Sequence, residues 1–156
     1  MPSPWVIAVA AVVALALMFL LALKPLRRMV RRGEARHARQ LFLRQREHLE
    51  AKFFSVAAAS GKPRGLRWKN CEWENPVEFA REKDTGKLAA LVGVTIQFEA
   101  VEGSDMEGLP AVGNLRNASA VFFFDRGGWH TVGKAVFNMN PDEAIQHYQY
   151  ERVEVS

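Results

Sequence analysis

Cysteine is nearly missing from this chain: Cys71 is the only one among 156 residues. No intramolecular disulfide can form, and a zinc site built on several thiolates is excluded. Catalytic signatures are missing as well. The sequence holds no glycine-rich phosphate loop, no GxGxxG, no GxSxG, no HExxH and no CxxC. Internal repeats and low-complexity tracts are also wanting. Charge is absent from one long stretch, and that absence is the most informative of all. From Trp5 to Leu23 nineteen consecutive residues carry none, and eleven of them are Val, Ile, Leu or Phe.

As a helix rising about 1.5 Å per residue, the run reaches roughly 28 Å, close to the hydrocarbon thickness of a bilayer. Eleven such side chains, at about −0.3 to −0.6 kcal/mol each near a helix centre, favour insertion by roughly 3–7 kcal/mol. The sequence therefore predicts an N-terminal transmembrane anchor over residues 1–23. A cleavable secretory signal would need a cationic start, a shorter apolar core and a small-x-small cleavage site. Met1-Pro2-Ser3-Pro4 carries no charged side chain, and Lys24-Pro25-Leu26-Arg27-Arg28 resembles no cleavage site. A retained signal-anchor is the expectation. A buried core helix is the other alternative, but nineteen residues apolar on every face are rare in so small a domain.

Lys24, Arg27, Arg28, Arg31, Arg32, Arg36 and Arg39 follow within sixteen residues. By the positive-inside rule they place the rest of the chain on the cytosolic side of a cell membrane. The same cations, Lys24, Arg27, Arg28, Arg31 and Arg32 above all, are candidates for contact with an anionic membrane surface, at about 1 kcal/mol each. The whole chain has 21 Lys+Arg against 17 Asp+Glu. Residues 1–39 hold seven of the cations and one acid, Glu34, so the remainder carries 14 against 16, a net −2. The basic character thus belongs to residues 24–39, a basic juxtamembrane linker. A nucleic-acid binder would carry its excess on the folded surface, so the bilayer and another protein are the expected partners, not nucleic acid.

Beyond the linker, residues 40–156 read as one soluble α+β domain. Pro25 and Gly33 argue against a straight continuation of the membrane helix. From about Glu34 to Ser60, Ala35, Ala38, Phe42, Leu49, Phe53 and Val56 recur at helical spacing on one face, with Arg39, Arg44, Glu47 and Glu50 opposite. Gly61-Lys62-Pro63-Arg64-Gly65 stops this helix. The period then changes to two. Strands are expected over Leu66–Trp73 and Val77–Lys83, separated at Asn75-Pro76, with a hairpin turn at Asp84-Thr85-Gly86-Lys87. In the next strand Val92, Val94, Ile96, Phe98 and Ala100 alternate with Gly93, Thr95, Gln97 and Glu99, one face inward and one wet. Gly103–Asn117 is a long loop. Ala118–Asp125 and Trp129–Asn138 form a second hairpin through Arg126-Gly127-Gly128. Asn140-Pro141-Asp142-Glu143 opens a short helix to about Tyr150, with an N-cap, a proline at the first position and two acids at the positive end.

These elements predict an amphipathic helix packed on an antiparallel sheet of four or five strands, followed by a short C-terminal helix. The outline is similar to cystatin-like and NTF2-like folds, by element order alone. Leu66-Arg67-Trp68-Lys69 and Ala90-Leu91-Val92-Gly93-Val94-Thr95 resemble segments of short bacterial membrane-anchored proteins with no assigned role, and that resemblance implies no activity.

Chemistry-bearing residues are few. His37 and His48 lie on the charged side of the helix. His130 follows Trp129 at a hairpin and His147 sits in the last helix, where the two could meet as an acid/base or metal pair; nothing in their spacing demands it. Glu72 and Glu74 flank Trp73 as i, i+2 strand neighbours whose carboxylates share a face, suited to acid–base work or to a solvated strand face. Cys71 points the other way and reads as a small core residue. Trp68, Trp73 and Trp129 are hot-spot candidates for a protein partner if exposed, and ordinary sheet packing if buried. No cofactor or metal is called for. The expected function is a single-pass membrane protein with a small cytosolic interaction or ligand-binding module. The alternative is a membrane-tethered enzyme using His130, His147 and nearby carboxylates.

Overall fold

The computed structural model describes residues 1, 3–61 and 63–155, and the backbone alone at Lys24. The Lys24 side chain, Lys62 of the helix-stop segment and Ser156 lie outside the described residues. The first element is one uninterrupted helix, α1, Pro4–Ala59, 56 residues long. At about 1.5 Å per residue it extends roughly 84 Å. The separation expected at Pro25 and Gly33 does not occur. Pro25 forfeits one backbone hydrogen bond, at a cost of roughly 3 kcal/mol inside a helix, but Ala, Leu and Arg on both sides are strong helix formers. The far half is also held in place by the domain. The most apolar eighteen-residue window of α1 has a mean hydropathy of 3.1 and none of it is buried, so this helix is long and apolar enough to cross a membrane. Its end agrees with the sequence: the Ser60 hydroxyl donates to the Ala57 carbonyl at 2.7 Å, and Gly61 turns into the left-handed region at φ 65°.

The sheet is antiparallel throughout. Its strands are β1 (Leu66–Arg81), β2 (Leu88–Ala100), β3 (Arg116–Asp125), β4 (Gly128–His130), β5 (Ala135–Phe137) and β6 (Glu151–Arg152). The order runs β4-β3-β2-β1-β6, with β5 beside β4 on the same edge of β3. A short 3₁₀ turn, Pro110–Gly113, interrupts the long loop before β3. The last helix, α2, covers Pro141–His147 and ends three residues earlier than expected. Its N-terminus is a full capping box, with Asn140 Oδ1 accepting from the Glu143 N–H and Glu143 Oε2 accepting from the Asn140 N–H, each at 2.9 Å.

Three further departures from the sequence reading have local causes. The two strands expected around Asn75-Pro76 are one strand carrying a bulge, since Trp73 pairs with Val94 but Val77 with Val92. The carbonyls stranded there are taken by Arg46 of α1, which donates to Asn75 at 2.6 Å and also to Glu74, while its Nε pairs with Glu50 at 2.6 Å. The strand expected over Trp129–Asn138 is broken into β4 and β5 because the end of α1 lies against Gly133. That residue has φ +71°, and a Cβ there would stand 2.8 Å from the Ala57 nitrogen. Finally, β6 had no signal in the sequence: only Glu151 and Arg152 pair, with Arg81 and Ala80.

The main core lies between α1 and one face of the sheet. Ala35, Ala38, Phe42, Leu49 and Phe53, the face predicted for the helix, pack with Ala57 on Val92, Val94, Ile96, Phe98, Phe122 and Phe124. The predicted Val56 is only half-buried, and Ala57 takes its place because it is the position one turn beyond Phe53. Phe42 meets Phe79, Phe122 and Trp129 edge-on at centroid distances of 5.9, 5.3 and 5.1 Å, the arrangement that ring quadrupoles favour. A smaller core forms on the opposite face, where Ile145 and Ala144 of α2 and Tyr150 cover Ala80, Ala89, Leu91 and Val121. The first half of β2 is therefore buried on both faces, and of the positions expected on the wet face Thr95, Gln97 and Glu99 are half-buried while Gly93 is buried.

Candidate functional site

Arg81 ties α1 to the end of β1, and Arg152 ties α2 to β1 and β6. Arg81, at the end of β1, is 8% exposed. Its guanidinium donates to Glu34 Oε2 at 2.7 Å, to the Arg31 carbonyl at 3.1 Å and to the Gly86 carbonyl at 3.0 Å. A buried guanidinium is stable only with its charge paired and its donors used, and here the partners are on α1 and on the β1–β2 turn. Arg152 of β6 is exposed and lies between Glu78, at 3.0 Å, and Asp142 of α2.

Between that end of the sheet and α1 opens a cleft of about 770 Å³, walled by Arg28, Arg31, Arg32 and Arg36 of α1 and by Arg81 and the 151–154 segment. The arginines of α1 that line it form no ion pair among the described residues. Of the predicted membrane-surface residues, Arg28, Arg31 and Arg32 thus share one cleft. Arg27 lies outside it, beside Leu20 and Leu23.

A second cleft, about 340 Å³, lies on the α2 face of the sheet. Glu74 and Arg116 bring opposite charges to it, and Asn117, Asn138 and Asn140 bring amides. The Glu74 carboxylate rests directly on Gly93, where a Cβ would overlap it. Asn138 adopts φ 59°, which an Asn tolerates better than most residues. Asn117 Oδ1 accepts from Thr95 Oγ1 at 3.2 Å. Glu72 pairs with Thr95 in the β1–β2 register, which puts it on the same face as Glu74, but it does not line the cleft.

The remaining predicted residues divide differently. Trp68 and Trp129 are 7% and 8% exposed and belong to the main core, and Trp73 is half-buried against it. Trp129 Nε1 donates to the Ala38 carbonyl at 2.7 Å. Trp68 and Trp129 are thus sheet packing, and Trp73 keeps part of its ring exposed. His130 packs beside Phe123, at a ring distance of 6.0 Å, and His147 against Tyr148, at 5.0 Å. No hydrogen bond among the described residues joins either histidine to the other or to a carboxylate. No group of three or more His, Cys, Asp and Glu able to hold a metal occurs among the described residues. Cys71 is half-buried against the main core, and burial pushes its thiol up to about 12. It remains a thiol at neutral pH and makes a poor nucleophile.

No family model matches this chain. Neither a curated protein nor a solved structure matches it.

Sequence reasoning missed Arg81 and Arg152. Arg81 reads as one more polar residue at the end of a strand, and only its neighbour Glu34, forty-seven positions earlier, gives it a role.

Proposed function

We propose that this is a single-pass membrane protein whose α+β domain, residues 40–156, lies on the cytosolic side of the cell membrane as a non-catalytic interaction or ligand-binding module. The observation that carries the reading is the unbroken α1. The same helix that holds the nineteen-residue apolar run supplies Phe42, Leu49 and Phe53 to the core, so the domain is built around the continuation of its own anchor. Charge asymmetry supports the orientation, because the seven cations all follow the apolar run. The polar cleft of Glu74, Arg116 and the three asparagines suits a polar ligand or a peptide segment, and the separate placement of His130 and His147 gives the enzymatic alternative no constellation to work with. Helix-then-meander order keeps the similarity in outline to cystatin-like and NTF2-like folds, and Leu66–Lys69 with Ala90–Thr95 the likeness to short bacterial membrane-anchored proteins. Partners are the bilayer and a second protein; nucleic acid is not among them.

Alkaline carbonate washing of membranes tests the anchor. The full chain should stay in the pellet with residues 1–23 intact by mass, and a chain lacking them should be released. A photoreactive side chain at Arg116 should trap a ligand or protein that one at Gln45, exposed on the outer side of α1, does not. Release of the full chain, or equal trapping from both positions, contradicts the proposal.

A further inference from the structure

We propose that the cleft between α1 and β6 binds the head group of an anionic phospholipid carrying two phosphates. It is a discrete site, distinct from general attraction of the basic segment to a charged surface. The inference rests on the reading above that α1 is the membrane anchor.

The first support is the unused positive charge. Of the arginines around the cleft, Arg81 is paired with Glu34, and Arg152 with Glu78 and Asp142. Arg28, Arg31, Arg32 and Arg36 line the same cavity without a partner among the described residues. Facing them are Glu151 and Glu154, also without an ion pair among the described residues. Four cations against two carboxylates, with the second acid on Arg152 counted as well, leave a net excess of one positive charge at the cleft, which draws an anionic head group.

The second support is spacing. Arg28, Arg32 and Arg36 follow one another at i, i+4 along α1, and such neighbours have Cβ atoms roughly 5–6 Å apart. Guanidinium forks bind phosphate oxygens in bidentate fashion. A row of this kind offers adjacent seats for two phosphates, and a cavity of about 770 Å³ has room for both.

The third support is depth. Arg28 and Arg32 stand about 7 and 13 Å along the helix axis beyond Leu23 at 1.5 Å per residue. The head-group layer is about 5–8 Å thick on each side, so Arg28 lies within it, and Arg32, still about 10 Å out at a tilt of about 40°, reaches back to it through a long side chain that leans toward the helix N-terminus. Leu26, Met29 and Val30 repeat the Arg28, Arg31, Arg32 spacing two residues earlier, roughly 200° around the helix, and all three are exposed and apolar. This turn of α1 is amphipathic. Its apolar side keeps it at the hydrocarbon boundary, while Arg28 and Arg32 face the cleft at head-group level and Arg36, about 20 Å beyond Leu23, closes its far end. Basic pockets beside membrane helices bind head groups of this class.

The test uses the full chain in nanodiscs of phosphatidylcholine with either diphosphatidylglycerol or phosphatidylglycerol at equal total charge, reading retained lipid by native mass spectrometry. Both leaflets are accessible there, so the result does not depend on which side of the membrane the domain occupies. Diphosphatidylglycerol should be retained about tenfold more strongly, equivalent to about 1.4 kcal/mol. Arg28→Gln with Arg32→Gln should abolish the preference. Arg27→Gln with Arg39→Gln removes the same charge outside the cleft and should leave it intact. Equal retention of the two lipids, or equal loss in both double variants, overturns the site and leaves the anchor standing. Failure of the full chain to enter nanodiscs overturns the anchor and the site together. Pyrophosphate binding to the lipid-free protein in detergent, as tight as the lipid and with the same Arg28/Arg32 dependence, would show a soluble anion in the cleft and contradict a lipid head group.

Discussion

At the scale of single residues, the assignments that the sequence made legible are the ones that depend on periodicity. Phe53 is fully buried on the face predicted for it, and Arg44 is exposed on the opposite one. In the full chain in detergent, Phe53→Ala should lower stability by roughly 3–5 kcal/mol, the usual cost of emptying a buried aromatic site. Arg44→Ala should stay within about 0.5 kcal/mol. Equal shifts in the denaturation midpoint would refute the packing of α1 on the sheet. Gly133 was illegible, because one glycine in an expected strand says nothing of what approaches it. The structure puts the Ala57 backbone against it and gives it a left-handed φ. Gly133→Ala should therefore cost about 1–3 kcal/mol through strain and displacement of the helix end, readable as a lower thermal midpoint. An unchanged midpoint would show that α1 does not end there.

At the scale of elements, helix ends and turns were readable where their chemistry is local. Ser60-Gly61 ends α1, Asp84–Lys87 turns the first hairpin, and Asn140–Glu143 caps α2, each through groups a few residues apart. Elements that depend on distant partners were not. The break between β4 and β5 is imposed by α1, the bulge in β1 is completed by Arg46, and β6 exists because residues 151–152 find a vacant edge on β1. The continuity of α1 belongs to the same class. Pro25 and Gly33 argue for a break, and the contacts that hold the helix on their far side come from Arg81 and Trp129. Arg81→Met keeps much of the bulk and removes the ties. It should lower stability by about 1–3 kcal/mol, the range for hydrogen bonds to a charged group, and speed amide exchange over residues 31–38. Unchanged exchange there would mean that Arg81 does not hold the helix to the sheet.

At the scale of the whole molecule, the uneven distribution of charge and apolarity is the organising fact, and it was fully legible. An uncharged run, then a block of cations, then a domain of net −2 is the order on which the proposed topology rests. What was not legible is how the second of these blocks is used. Read as a linker, residues 24–39 would be a flexible tether; in the structure they are three or more turns of rigid helix whose arginines form one wall of a cleft with the domain. The polar cleft on the α2 face was equally hidden, since Glu74, Arg116 and Asn138 meet only through the sheet order. The central claim, a retained anchor with the folded domain inside, is tested most directly by paired fusions after Ser156. A fluorescent protein that matures only in the cytosol should be bright, and an alkaline phosphatase that works only outside should be inactive, with the N-terminus uncleaved. An active phosphatase, or a mature chain beginning near Leu23, would contradict it.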